Sequence, residues 1–243
     1  MFVGNKPLVT AHSGSEGSEH NSLASVIAAV QANADIIELD IQSTLDAMPL
    51  LHHDPILSGV KEGKLIIGDY PFEQVIEVAK QNGKPFTALE AVLETVRDHH
   101  LVLNLDLKDI NSILKIKKLI DDFDMADSII ISGLDYDQVE VVRKVLTGTQ
   151  VLLNAYYDPS ITDENHYSTF VQNLCKQAIE VQACGINIDY LMSSEQLVTY
   201  ARKRFLPISV WSVDDETEMQ QMIDQGVFSI TTHRPKRLRE ILG

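Results

Sequence analysis

The sequence predicts an α/β fold, a (β/α)8 TIM barrel with a small hairpin extension in the second βα loop, and three observations carry that expectation. Short β-branched or aliphatic runs alternate with longer amphipathic runs along the chain, which is the pattern of βαβ units around a parallel sheet. The 243 residues match the usual length of one such barrel and suffice to bury a core without metal or disulfide staples. No solenoid-period repeat, low-complexity tract or Pro/Ser-rich linker divides the chain, so residues 1–243 are expected to form a single domain.

The first strand is PLVTAH, ending on His12, and the amphipathic run NSLASVIAAVQANA follows it as a helix. DIIELDI is the second strand. PLLHHD comes next after only the turn-like residues Ser43 to Met48, too few for a helix, so it is assigned to a hairpin extension instead of the barrel. LVLNLDL, SIIISGL, VLLNAYY, GINIDYL, PISVWSV and FSITTH supply the remaining barrel strands. Helix starts carry capping pairs (Thr87 with Glu90, Ser193 with Gln196, Asp215 with Glu218), and Gly148, Gly185 and Gly226 stand where helices should stop. The polar stretch Asp158 to His166 is the candidate lid.

Composition excludes several partner classes. With 35 acidic against 20 basic residues the formal charge is -15, which repels nucleic acid and anionic bilayers, so neither a nucleic-acid partner nor stable membrane association is expected. Cys175 and Cys184 fall in no metal-ligand spacing and read as thiols of a reducing compartment. The stretch MFVGNKPLVTAH lacks both a secretory apolar region and a spanning helix, which predicts a cytoplasmic protein. Oligomeric state is not legible.

Alternation along the strands places the chemistry. In DIIELDI, Ile37, Leu39 and Ile41 share the face that must meet the helices, which turns Glu38 and Asp40 into the barrel near the strand's C-terminal end, where such barrels keep their active sites. LVLNLDLKD repeats the design, with Leu101, Leu103, Leu105 and Leu107 outward and Asn104, Asp106 and Lys108 inward. Adjacent buried carboxylates repel unless a cation or proton sits between them. Glu38, Asp40 and Asp106 offer hard oxygen ligands that favour one divalent cation, Mg²⁺ or Ca²⁺, the competing reading being a buried ion-pair network with Lys108. His12 closes the first strand and His53 closes the PLLHHD extension, so both can overhang the same mouth, and histidine suits proton transfer near neutral pH. His52 alternates away from His53, and His99 with His100 end a helix, so none of these three is a site candidate. Trp211 shares an inward face with Ser209 and Val213 and either walls a pocket or fills the core.

In order from end to end, the residues His12 and Gly14 in AHSG, Asn21 and Ser22 in EHNSL, Glu38 and Asp40 in IIELDI, Asp46 and Pro49 in LDAMP, His53-Asp54 in HHD, Asp106 and Lys108 in LDLK, Trp211 in WSVDD, and Thr232 with Pro235 in TTHRP resemble the pattern of the glycerophosphodiester phosphodiesterase family. That pattern runs His-Arg-Gly, Pro-Glu-Asn-Thr, I-E-L-D-V, D-G-x-P, His-Asp, E-x-K, W-x-V-N and T-D-x-P. The resemblance implies a barrel enzyme that cleaves glycerophosphodiesters to glycerol 3-phosphate and an alcohol. By similarity, Glu38, Asp40 and Asp106 hold the metal, His12 and His53 shuttle protons, and Lys108 and Trp211 contact the small-molecule phosphodiester.

The chain departs from the pattern at its mouth. The family's arginine is Ser13, its Pro-Glu-Asn-Thr glutamate aligns with His20, its third metal carboxylate is Asp106 where glutamate is usual, and its Thr-Asp has become Thr232-His233. Serine cannot replace a bidentate cationic phosphate clamp, so Ser13, His20 and Arg234 join the expected substrate-binding set, His20 or Arg234 taking over part of the arginine's role. The competing readings are a non-catalytic phosphodiester- or metal-binding descendant and a phospholipase-type phosphodiesterase.

Overall fold

The structure, a computed structural model, describes residues 6–243 apart from 61, 62, 84, 85, 98, 100 and 162. Among these residues the strands are β1 (Leu8–Ala11), β2 (Ile36–Ser43), β3 (Pro49–Leu51), β4 (Ile56–Val60), β5 (Gly63–Ile66), β6 (Val102–Leu107), β7 (Ile129–Ser132), β8 (Gln150–Ala155), β9 (Gly185–Asp189), β10 (Ile208–Trp211) and β11 (Ser229–Thr232). The helices are α1 (Leu23–Gln31), α2 (Phe72–Gln81), α3 (Leu89–Arg97), α4 (Ile113–Phe123), α5 (Tyr136–Val145), α6 (Glu164–Glu180), α7 (Glu195–Arg202), α8 (Glu216–Gln225) and α9 (Pro235–Leu242).

Strands β1, β2, β6, β7, β8, β9, β10 and β11 pair in parallel in that order. The ring closes where β1 pairs with β11 on one side (Val9 opposite Ile230) and with β2 on the other (Thr10 opposite Ile36). This is the expected (β/α)8 barrel. The outward faces of β2 and β6, Ile37, Leu39, Ile41, Leu103, Leu105 and Leu107, lose almost all contact with solvent beneath the helices, each side chain contributing roughly 1.5–3 kcal/mol by its burial.

PLLHHD lies outside the barrel as predicted: β3 runs antiparallel to β2, with Ile41 opposite Leu51. The extension is larger than a single hairpin, however. An antiparallel ribbon of β4 and β5 and the helix α2 follow, and Leu50, Leu57, Leu65, Ile67, Val75 and Ala79 form a second small core of their own. Among the described residues the ribbon pairs only with itself, and its strands interrupt the apolar pattern with Ser58 and Lys64, so no periodic signal announced it.

Helix boundaries follow the capping chemistry with small shifts. Asp215 caps α8 by accepting from the Thr217 and Glu218 amides, and Gly226, at φ 76°, ends it. Ser194, one residue after the expected Ser193, caps α7 through the Leu197 amide, because the Ser193 hydroxyl is donated to Gln225 instead. Gly185 stops no helix. It begins β9, where a Cβ would lie 2.9 Å from Pro207, so the residue is there for close approach. His99 lies in the turn after α3 and His100 lies outside the described residues. In the polar stretch, residues 159–160 form an exposed turn, Thr162 lies outside the described residues, and His166 already belongs to α6.

Candidate active site

Pairing of β2 with β6 sets Glu38 opposite Asn104 and Asp40 opposite Asp106, so both strands aim alternate side chains into the same part of the barrel. Oxygens of Glu38, Asp40 and Asp106 come within 4.8 Å of one another. Just beyond β6, the Lys108 amide donates to the Ile41 carbonyl (2.9 Å), and the side chain turns back so that Nζ contacts Asp40 Oδ1 at 2.7 Å and also Asp106 Oδ2. Asn21, held at φ 53°, clamps Asp40 twice: its Nδ2 donates to Asp40 Oδ2 and its Oδ1 accepts from the Asp40 amide, each at 2.9 Å. Ser132 Oγ donates to Asp106 Oδ1 (2.8 Å).

Electrostatics separates the three acids. Burial, then the charges of Asp40 and Asp106, push the Glu38 carboxyl well above the usual carboxylate range. Burial acts the same way on Asp40, but the ammonium of Lys108 and the Asn21 amide more than offset it and hold Asp40 below that range. Burial would lower the Lys108 ammonium, and its two carboxylate partners instead raise it. One cation thus serves two of the three acids, and Glu38 is left to be balanced by a proton or by a further cation. A set of hard oxygens with excess negative charge fits a divalent ion of the Mg²⁺ or Ca²⁺ type.

His12 follows β1. Its Nδ1 lies 2.9 Å from the Ser13 carbonyl, an oxygen that only accepts, so Nδ1 carries the proton and Nε2 is left with a free lone pair. Burial lowers its pKa against the raising effect of that hydrogen bond, which keeps the ring neutral at pH 7. His53 overhangs from the extension, with Nδ1 2.7 Å from Asp54 Oδ1 and two thirds of its side chain exposed. Both histidines, the three carboxylates and Lys108 line one cavity of about 240 Å³ at the mouth of the barrel.

The remaining expected residues divide. Trp211 walls this cavity, and its ring meets Tyr156 edge-on at 5.8 Å between centroids. His20 does not line it but faces an adjoining cleft of about 740 Å³, which shares His12, Asp40 and His53 with the cavity and has an apolar wall of Leu51, Ile56, Leu57 and Phe86. His52, set aside in the sequence, also lines that cleft. Ser13 is not brought to either space: it is fully buried, and its Oγ accepts the Asn21 amide at 2.6 Å. Arg234 is likewise held elsewhere, donating to the Asp214 carbonyl (3.0 Å) and pairing with Glu216. Sequence reasoning missed Asn154, Tyr156 and Asn187, which line the cavity. The signal was there in one form: Asn104, Asn154 and Asn187 each interrupt an aliphatic strand with a single amide, and Asn154 pairs opposite Asn187.

Residues 12–237 match the model of the glycerophosphoryl diester phosphodiesterase family. The chain belongs to that family. It is 25% identical over 247 residues to a glycerophosphodiester phosphodiesterase of Caldanaerobacter subterraneus, covering 96% of each chain. It is 26% identical over 263 residues to a glycerophosphodiester phosphodiesterase of Bacillus subtilis, covering 96% of this chain and 86% of the other. Among solved structures, an Oleispira antarctica phosphodiesterase in complex with the product sn-glycerol-3-phosphate superposes with a TM-score of 0.81 at 18% identity, over 98% of this chain and 97% of that one. A Thermotoga maritima glycerophosphodiester phosphodiesterase gives 0.77, also at 18%, over 98% and 99%. Those structural likenesses bear on the fold, the barrel described above. Membership makes the chain an enzyme of the phosphoric diester hydrolase class.

Proposed function

We propose that the chain, as one barrel domain over residues 1–243, hydrolyses glycerophosphodiesters to glycerol 3-phosphate and an alcohol in a divalent-metal-dependent reaction, with His12 and His53 as the proton carriers. The observation that carries this reading is the convergence of Glu38, Asp40, Asp106, Lys108, His12 and His53 on one cavity, in a chain of this family.

Glu38, Asp40 and Asp106 would hold the cation, which when bound neutralises charge on the phosphoryl oxygens and so eases attack at phosphorus. Lys108 adds a fixed positive charge beside the same carboxylates and shares the task of holding the anionic diester. His12 is suited to act as the base: burial keeps it neutral and its proton sits on Nδ1, leaving Nε2 to take the nucleophile's proton. His53 at the rim serves as the acid that protonates the departing alcohol, where product can leave to solvent. Trp211 and Tyr156 give an apolar wall, and Asn154 and Asn187 supply amides for a polyol.

The charge of -15 favours a small-molecule substrate over nucleic acid or an anionic bilayer. Among the described residues, no helix is long and apolar enough to cross a membrane. We read the compartment as cytoplasmic on the free thiols of Cys175 and Cys184.

Kinetics of His12→Ala and His53→Ala on glycerophosphocholine test the roles. Each should lower kcat by about 10²- to 10⁴-fold with KM little changed, since neither is charged with holding the anion. A rise in KM at constant kcat would make them binding residues.

A further inference from the structure

The mouth of the barrel holds a second constellation, of which the proposed hydrolysis uses His12 alone. His12 and His20 come from the connection between β1 and α1 and His233 from the turn after β11, and one ring nitrogen of each lies within 4.8 Å of those of the others. His12 and His233 have ring centroids 4.2 Å apart, and His20 stands edge-on to both, at 6.4 and 5.9 Å. The grouping is built into the fold. His20 lies flush on Gly14, where any Cβ would come within 2.6 Å of its ring, and Gly14 is itself fixed by donating to Ser25 Oγ at 2.9 Å.

Two of the three rings are oriented from behind. His233 Nδ1 sits 2.8 Å from Asp214 Oδ2, and Asp214 also accepts from the Thr232 hydroxyl and the His233 amide. His12 Nδ1 sits 2.9 Å from the Ser13 carbonyl. A carboxylate or a carbonyl behind Nδ1 is the support that histidine metal ligands carry, since it fixes the tautomer and directs the Nε2 lone pair outward. The adjoining cleft is lined by Glu19, Asp40 and Asp54 and by no lysine or arginine among the described residues, so it favours a cation. Three imidazoles with a fourth position open to solvent are a donor set for Zn²⁺, whereas Mg²⁺ and Ca²⁺ prefer oxygen. Nitrogens around a tetrahedral zinc stand roughly 3.3 Å apart, within reach of small ring rotations.

We infer that His12, His20 and His233 form a second metal site, selective for Zn²⁺ over Mg²⁺ and Ca²⁺ and distinct from the Glu38–Asp40–Asp106 site. Zinc bound there occupies His12 Nε2 and so inhibits the enzyme. The inhibition rests on the proposed role of His12 as proton carrier, and the binding does not.

The test titrates Zn²⁺ into the full-length protein in excess Mg²⁺ by calorimetry, and records the visible spectrum with Co²⁺ in place of zinc. One Zn²⁺ per chain is expected, with the intense bands of four-coordinate Co²⁺. The affinity should fall at least tenfold in both His20→Ala and His233→Ala and stay within twofold in Asp106→Asn. Binding unchanged in the two histidine variants, or lost in Asp106→Asn while kept in His233→Ala, overturns the site, as does a Co²⁺ spectrum showing only the weak bands of six oxygen ligands. The Co²⁺ spectrum of the unaltered protein decides the matter even if a variant fails to fold. Phosphodiesterase rates, each measured against the same protein without zinc, should fall with site occupancy. Zinc bound as described without inhibition would leave the site standing and overturn the role of His12.

Discussion

Ser13 shows why a missing arginine cannot be restored by a single substitution. Its hydroxyl is enclosed by protein and accepts the Asn21 amide, and Asn21 in turn holds both the backbone and the carboxylate of Asp40. A guanidinium at position 13 would have to leave that enclosure, breaking the bond to Asn21 and loosening Asp40, one of the proposed metal ligands. Ser13→Arg should therefore lower the melting temperature and reduce kcat/KM on glycerophosphodiesters, and Ser13→Ala should cost about 1–3 kcal/mol by leaving the buried Asn21 amide unpaired. A gain in kcat/KM for Ser13→Arg at unchanged stability would show that the position still faces phosphate. In the proposed reaction the phosphate's cationic partner is Lys108, which stands beside Asp40 and Asp106.

At the scale of elements, the site depends on how strands end. Gly133, at φ 83° just beyond β7, donates its amide to Asn154 Oδ1 at 2.9 Å. A Cβ there would approach the Leu107 carbonyl to 2.4 Å, one residue before Lys108. Gly133→Ala should destabilise the fold by at least about 1 kcal/mol and lower kcat by displacing Lys108, which thermal melts and steady-state kinetics can check together. Normal activity with an unchanged melting temperature would mean that the β6 end yields at no cost. The alternation in DIIELDI and LVLNLDL is enough by itself to aim Glu38, Asp40, Asp106 and Lys108 into the barrel, because period-two geometry acts locally. The β4–β5 ribbon was not legible, since short strands that pair with each other leave no long periodic run, whereas α2 did carry a helical repeat in Phe72, Val75, Ile76 and Ala79. The meeting of His20 with His233 was hidden for another reason: it depends on barrel closure bringing the two ends of the chain together, which single-strand patterns do not encode. Arg234, adjacent to His233, is turned toward Asp214 and Glu216 by contacts between neighbouring βα loops, which single-strand patterns do not encode either.

For the whole molecule, closure of the ring and the helices around it bury nearly all the aliphatic residues that the alternation marked, and this shell also governs the thiols. Burial pushes both Cys175 and Cys184 up to about 11, so at pH 8 the folded protein holds almost no thiolate. Reaction with a disulfide reagent should be slow in the native state, accelerate toward pH 11, and be complete for both residues after denaturation; fast native reaction at pH 8 would contradict that burial. The net charge of -15 would favour a divalent cation at a mouth where Lys108 pairs with only two of the three acids. The most direct test of the central claim is release of glycerol 3-phosphate from a panel of glycerophosphodiesters with added Mg²⁺ or Ca²⁺, alongside EDTA-treated enzyme and the Asp106→Asn variant. The account predicts release that EDTA abolishes, that either ion restores, and that falls by at least about 10²-fold in the variant; release that persists undiminished in EDTA and in Asp106→Asn would contradict it.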